Sequence, residues 1–118
     1  MNMINMPGIS FIDKLKLNAI KNPEELVEIA ISHKNPEVCK AAVDRLKQLD
    51  LVDERKAALI CTVAKETPHE SVCRHAFSFC SESKLPDEIK LRMLEGAINK
   101  IKFESVKKEM ERWLKEHK

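Results

Sequence analysis

The side chains best equipped for chemistry in this sequence are four cysteines, Cys39, Cys61, Cys73 and Cys80, and four histidines, His33, His69, His75 and His117. Thiolate and imidazole are common zinc ligands, and neighbouring thiols can form a redox couple. His69 and Cys73 lie four residues apart, which on a helix stacks them one turn apart, and Cys80 falls near the same azimuth. That trio defines one reading, a metal or redox centre. The competing reading treats the cysteines as small hydrophobes in packed seams. It is favoured because the chain has neither a CxxC nor an HxxxH pair, the spacings that present two ligands on one turn.

Other catalytic signatures are missing. There is no glycine-rich phosphate loop, no nucleophile elbow and no histidine with a carboxylate at fixed helical spacing. His33 and His69 flank short links and suit helix ends. No catalytic residue, metal site or cofactor is therefore expected, and a non-enzymatic protein is.

The elements that must position these side chains are set by a repeat. NPEVCKAAVDRLK (35–47), HESVCRHAFSFCS (69–81) and FESVKKEMERWLK (103–115) recur at a spacing of 34 residues without gaps. Val38, Val72 and Val106 open equivalent segments, and Leu46, Cys80 and Leu114 close them. Upstream, Leu26, Ile60 and Leu94 align, as do Ala30, Ala64 and Ile98. LVDERKAALI (51–60) lies over LPDEIKLRML (85–94). A repeat that reaches into its connectors is a whole supersecondary unit.

Each unit reads as two helices. First helices are expected to start near Asn22, Asp53 and Asp87, whose side chains can cap free backbone N–H groups, with Pro23 in a first turn. Second helices start near Asn35, Pro68–His69 and Phe103–Glu104, after links short enough for antiparallel neighbours. Their core stripe is Val38, Ala42, the Arg45 stem and Leu46, then Val72, Ala76, Phe79 and Cys80, then Val106, Met110, Trp113 and Leu114. Residues 10–20 form a further helix capped by Ser10, and residues 1–9 are expected to be flexible. The expected fold is all-α, one domain over 1–118: a short right-handed solenoid of three stacked hairpins (22–50, 53–83 and 87–117) plus the N-terminal helix.

The flanks of the hairpins carry the stacking pattern. One flank reads Cys39 and Val43, then Cys73 and Phe77, then Lys107 and Glu111, and the first helices read Val27, Cys61, Glu95. Apolar flanks in units one and two, and charged ones in unit three, are what stacking requires. A flank that meets a successor must be apolar, and the last must face water. On this reading Cys39, Cys61 and Cys73 fill seams between units, and Cys80 replaces a core leucine.

The second-helix pattern NPEVCKAAVDRLKQL, an Asn-Pro-x-Val start leading into Ala-Ala and a Leu, resembles the short HEAT-like repeats of the phycobilisome-lyase type. HESVCRHAFSFC and FESVKKEMERWL match it progressively less well, and Cys39, Cys73 and Lys107 stand where that family places an Arg. The resemblance implies an α-solenoid that acts as a protein-binding scaffold. More remotely it implies nucleic-acid binding, as in DNA-binding HEAT-like enzymes, or help in attaching a tetrapyrrole. The tetratricopeptide repeat shares the period but needs a Trp-Leu-Gly-Tyr type first helix. This chain has no Tyr and only Gly8 and Gly96.

Outward positions of the second helices supply the candidate contact residues. Lys40, Arg74 and Lys108 form a row of like charge across the units, and Arg112 and Lys115 extend it on the last. Residues 1–50 balance in charge, 51–83 carry one excess acid and 84–118 three excess bases, giving a net of +2. That is no polybasic footprint, so a protein partner is expected ahead of nucleic acid or another polyanion. The opening MNMINMPGISFIDKLK has neither the basic leader nor the apolar stretch of a signal peptide. No run approaches the roughly 18 apolar residues of a membrane span. The expectation is a cytoplasmic monomer or weak homo-oligomer that keeps its thiols reduced and does not enter a membrane.

Overall fold

The computed structural model describes residues 11–118, and these are helical throughout, with no strand among them. Seven α-helices follow in order: α1 Phe11–Ala19, α2 Pro23–Ser32, α3 Pro36–Gln48, α4 Asp53–Glu66, α5 Glu70–Glu82, α6 Asp87–Ala97 and α7 Glu104–His117, with a 3-10 turn at Ile98–Lys100 between the last two. The expected flexible segment 1–9 and the Ser10 cap lie outside the described residues.

Asn22 caps its helix as expected, and Asn35, near which the next helix was expected to start, caps that one. The Asn22 carboxamide oxygen accepts from the Glu24 and Glu25 N–H groups and that of Asn35 from Glu37, while Pro23 and Pro36 fill the first positions. The other two expected caps are corrected. Asp53 and Asp87 are the first helical residues, behind Val52 and Pro86, and no side chain caps either helix. Their carboxylates act through charge near the positive end of the helix dipole. His69 begins α5 without a side-chain cap of its own; instead the buried Thr67 hydroxyl oxygen accepts from the His69 N–H at 3.1 Å.

The helices pack in two layers. α2 lies against α3, α4 against α5, and α6 against α7. Across the pairs α2 meets α4 and α4 meets α6, while α3 meets α5 and α5 meets α7, with α1 against α3. The smallest extent of the molecule, 20 Å, is two helix diameters. One apolar core runs between the layers. Leu26, Ala30, Val38, Ala42 and Leu46 are buried in the first pair, Ile60, Ala64, Val72, Ala76 and Cys80 in the second, and Leu94, Val106, Met110 and Leu114 in the third. Burying each large aliphatic side chain is worth about 1.5–3 kcal/mol, so helices too short to persist alone are held by this contact.

The flank positions follow the expected pattern in part, with Val27 only half-buried. Cys39, Val43, Cys61, Cys73 and Phe77 are buried, whereas Glu95 and Glu111 are exposed and Lys107 is half-buried. Arg45, Phe79 and Trp113 share one repeat position and are all half-buried. The Arg45 Nε donates to the Ile20 carbonyl at 3.1 Å, tying α3 to the turn after α1.

Candidate functional site

The expected contact residues sit on the face built by α3, α5 and α7. Lys40 projects from α3 beside Glu37, with Nζ–Oε2 at 2.9 Å. Arg74 on α5 is engaged by three side chains. Its Nε donates to Glu109 of α7 at 2.9 Å, and its terminal nitrogen reaches Ser105 at 3.0 Å and Glu70 at 3.5 Å. The Glu109 carboxylate raises the guanidinium pKa, and Glu70 adds to the effect. Lys108, Arg112 and Lys115 are exposed and make no ion pair among the described residues. At i, i+4 and i+7 they form a single ridge along α7. The structure thus divides the expected row. Lys40 and Arg74 are spent on internal pairing, and the unopposed charge gathers on the last helix.

Three clefts open on the same face. A groove of about 450 Å3 runs between α1, α3 and α5, with Lys14, Lys40, Asp44, Arg45 and His75 among its walls. A second, of about 390 Å3, lies between α5 and α7 and is lined by Phe77, Glu82, Glu109, Arg112, Trp113 and Glu116. A third, of about 320 Å3, sits over Phe79 and includes Lys47, His75 and Ser78. Lys47 Nζ lies 5.5 Å above the Phe79 ring, within cation–π range. Trp113 stacks on the His117 imidazole with centroids 3.9 Å apart and planes inclined by 13°. The aromatic side chains here are therefore partly engaged within the chain and partly open to the grooves.

Between the first two grooved helices stands a contact that spacing along one helix could not reveal. The His75 Nε2 lies 2.8 Å from the Asp44 carboxylate, joining α5 to α3 across 31 residues. Lys47 approaches the same carboxylate at 3.1 Å. Burial acts to raise the Asp44 pKa, but hydrogen bonds and charge from His75 and Lys47 outweigh it and leave the group below its ordinary value. The signal that finds such a pair is the repeat period less one helical turn. The same 31-residue offset joins Glu24 to Arg55 at 2.8 Å between α2 and α4. Both ring-to-carboxylate and guanidinium-to-carboxylate contacts here stitch neighbouring units together. A His–Asp pair can also orient a nucleophile's base, but the polar partner found for the His75 ring among the described residues is Asp44.

A further set of contacts joins successive helix pairs. The carbonyls at the ends of four helices each receive a side-chain contact from the following unit. In the first layer His69 Nε2 lies 3.0 Å from the His33 carbonyl, and Lys102 Nζ donates to Glu66 at 3.0 Å. In the second layer Lys56 Nζ donates to the Lys47 carbonyl at 2.7 Å and Lys90 Nζ to Ser81 at 3.1 Å. Cations at helix C-termini satisfy free carbonyls and complement the dipole. Lys56 and Lys90 are one repeat apart, and so are the carbonyls they cap.

The thiols lie away from this face, buried and free. Cys39 Sγ donates to the His33 carbonyl at 3.3 Å, and burial pushes its pKa up despite that bond. Burial also pushes the Cys73 thiol up to about 11. Cys80 Sγ donates to the Ala57 carbonyl at 3.6 Å, and its hydrogen bond with Cys61, together with burial, holds it well above the usual thiol range. The expected alternative trio does not assemble. His69 turns to the His33 carbonyl and Cys80 Sγ to the Ala57 carbonyl, and no group of three His, Cys, Asp or Glu side chains among the described residues converges for a metal ion. No described helix is long and apolar enough to cross a membrane.

Compared with protein-family models, with curated proteins and with solved structures, the chain matches none.

Proposed function

We propose that this chain is a non-enzymatic interaction scaffold: a short HEAT-like α-solenoid of three 34-residue hairpins that binds a protein partner along α3, α5 and α7. The solenoid reading rests on the first-on-first and second-on-second packing of the helix pairs. It rests equally on the Lys56 and Lys90 contacts, which repeat at the sequence period. Stacked units of this kind present one continuous face to a partner.

The observation that carries the binding reading is the line of three grooves along that face, ending at the unopposed ridge of Lys108, Arg112 and Lys115. A protein surface with a few acidic side chains fits a short basic ridge beside polar clefts. A nucleic-acid backbone requires a denser array of free cations, and Glu37, Glu70 and Glu109 neutralise the row's other members.

The test is co-purification from native lysate with the parent chain and with a K108E/R112E/K115E variant, each treated with nuclease. A stoichiometric protein retained by the parent and lost by the folded variant supports the reading. No retained protein, or equal retention by both, refutes it. A low-salt gel shift with short duplex DNA, present in the parent and lost in the variant, would move the assignment to polyanion binding.

A further inference from the structure

The three grooves of the binding face are built on the same repeat positions. Ala41, Asp44, Arg45 and Gln48 line the groove between α1 and α3. One period on, His75, Ser78, Phe79 and Glu82 line the groove over Phe79. Two periods on, Glu109, Arg112, Trp113 and Glu116 line the groove between α5 and α7. Spaced i, i+3, i+4 and i+7, each set is one face of its helix. The chemistry nevertheless differs. The two later grooves have an aromatic ring at the third of these positions and a carboxylate at the fourth. The α1–α3 groove has the Arg45 guanidinium and the neutral Gln48 carboxamide there.

Its charges are also differently disposed. Two carboxylates line this groove, and both are already paired: Glu37 with Lys40 at 2.9 Å, and Asp44 with His75 at 2.8 Å and Lys47 at 3.1 Å. Arg45 commits its Nε to the Ile20 carbonyl at 3.1 Å, which anchors the guanidinium, and its two terminal nitrogens make no hydrogen bond or ion pair among the described residues. Lys14, on the α1 wall, is exposed and likewise makes no ion pair among the described residues. Two unopposed cations thus line this groove, together with the buried Leu17 and the half-buried Ala41.

We propose that the α1–α3 groove is a binding site for a carboxylate on a short aliphatic stem, the side chain of a glutamate or aspartate in an extended segment of a protein partner. The free end of the Arg45 guanidinium is a planar fork that matches two carboxylate oxygens, and Lys14 adds a point charge. Leu17 and Ala41 cover the methylenes of the stem. A phosphate dianion suits the groove less, because Glu37 and Asp44 stand in it and repel a second negative charge. A peptide segment is favoured over a free acid because the equivalent grooves fall one period apart on α3, α5 and α7, so one extended chain can cross them whereas a small molecule fills one. The source of the carboxylate rests on the protein-binding reading; the site itself rests on the groove.

The test is a proton–nitrogen correlation NMR titration of the folded chain with N-acetyl-glutamate N-methylamide, following the Arg45 Nε–H and the Asn18 and Gln48 carboxamides. Saturable shifts at these groups are expected, and none from the uncharged N-acetyl-glutamine N-methylamide. Arg45 also holds the Ile20 carbonyl, so the decisive variant is Gln48→Glu, an exposed substitution that gives Arg45 an internal carboxylate one turn away. It is expected to weaken probe binding about tenfold or more while the rest of the spectrum keeps its dispersion. The K108E/R112E/K115E variant must bind the probe as the parent does. Absent shifts, shifts undiminished by Gln48→Glu, or shifts lost in the α7 variant overturn the proposal. So does free glutarate or inorganic phosphate binding about tenfold tighter than the probe, which would assign the groove to a small dicarboxylate or to phosphate. Because the probe is used without any partner, failure of this site and failure of the scaffold reading are read out separately.

Discussion

Asp44 is where pH acts on the stitching between units. Its carboxyl is desolvated in part, yet the His75 and Lys47 contacts leave its pKa below the ordinary value. A lowered carboxylate pKa means that folding favours the ionised form. The contribution is complete above the ordinary Asp value near 4 and is lost as pH falls through the lowered one. For Asp44→Asn we expect the parent to be more stable above about pH 5 by less than about 1 kcal/mol, because the carboxylate is half exposed. The difference should shrink toward nothing in stronger acid, where the parent is also neutral at this site. Urea unfolding of both chains across that range checks it, and a gap that persists undiminished in acid would assign the effect to something other than this carboxylate. The seam cysteines could be read from their types and repeat positions alone. The His75–Asp44 pair could not, because it joins adjacent units rather than adjacent turns.

Helix ends were legible where the sequence offered Asn-Pro, and misplaced where it offered Asp. In Asn22-Pro23 and Asn35-Pro36 the proline fixes the first helical position, which leaves the asparagine as the cap. With Val52-Asp53 and Pro86-Asp87 the helix starts one residue earlier than a capping aspartate would demand. The helices still form, since burial of Ile60 or Leu94 outweighs a missing cap. In α6 the glycine at 96 is a remaining weakness. A Cβ built there meets nothing within 4 Å, so the position has no steric need for glycine. Gly96→Ala is expected to raise stability by about 0.5–1 kcal/mol, through lower backbone entropy in the unfolded chain. Denaturant unfolding measures it, and a loss of stability would show that an alanine side chain is not accommodated in α6.

Among the described residues, the outer flank of α7 carries charge where the equivalent positions of α3 and α5 are apolar. Lys107 and Glu111 occupy the places that Cys39 and Val43, then Cys73 and Phe77, hold in the seams. Replacing them by Val and Phe, as Lys107→Val with Glu111→Phe, places an apolar pair on a flank where Glu111 is exposed and Lys107 half-buried. We expect this variant to self-associate with rising concentration while the parent does not change over the same range, because uncovered apolar patches drive association. Sedimentation velocity at several concentrations reads the outcome. An unchanged sedimentation coefficient would mean that these two charges do not terminate the stack.

Period and hydrophobic pattern were sufficient to place the helices to within a residue or so and the buried Val38, Ala42, Leu46, Val72, Ala76, Cys80, Val106, Met110 and Leu114, whereas Arg45, Phe79 and Trp113 of the expected stripe are half-buried. Each of these depends on which side of its own helix a residue lies, and that follows from spacing alone. The partners of the polar side chains depend instead on the offset between one unit and the next. Packing sets that offset, and it consumed Arg74 on Glu109, joined His75 to Asp44 and aimed lysines at helix ends. A row of basic letters reads the same in sequence whether its charges are free or spent, and the difference is made by acids that arrive from a neighbouring helix.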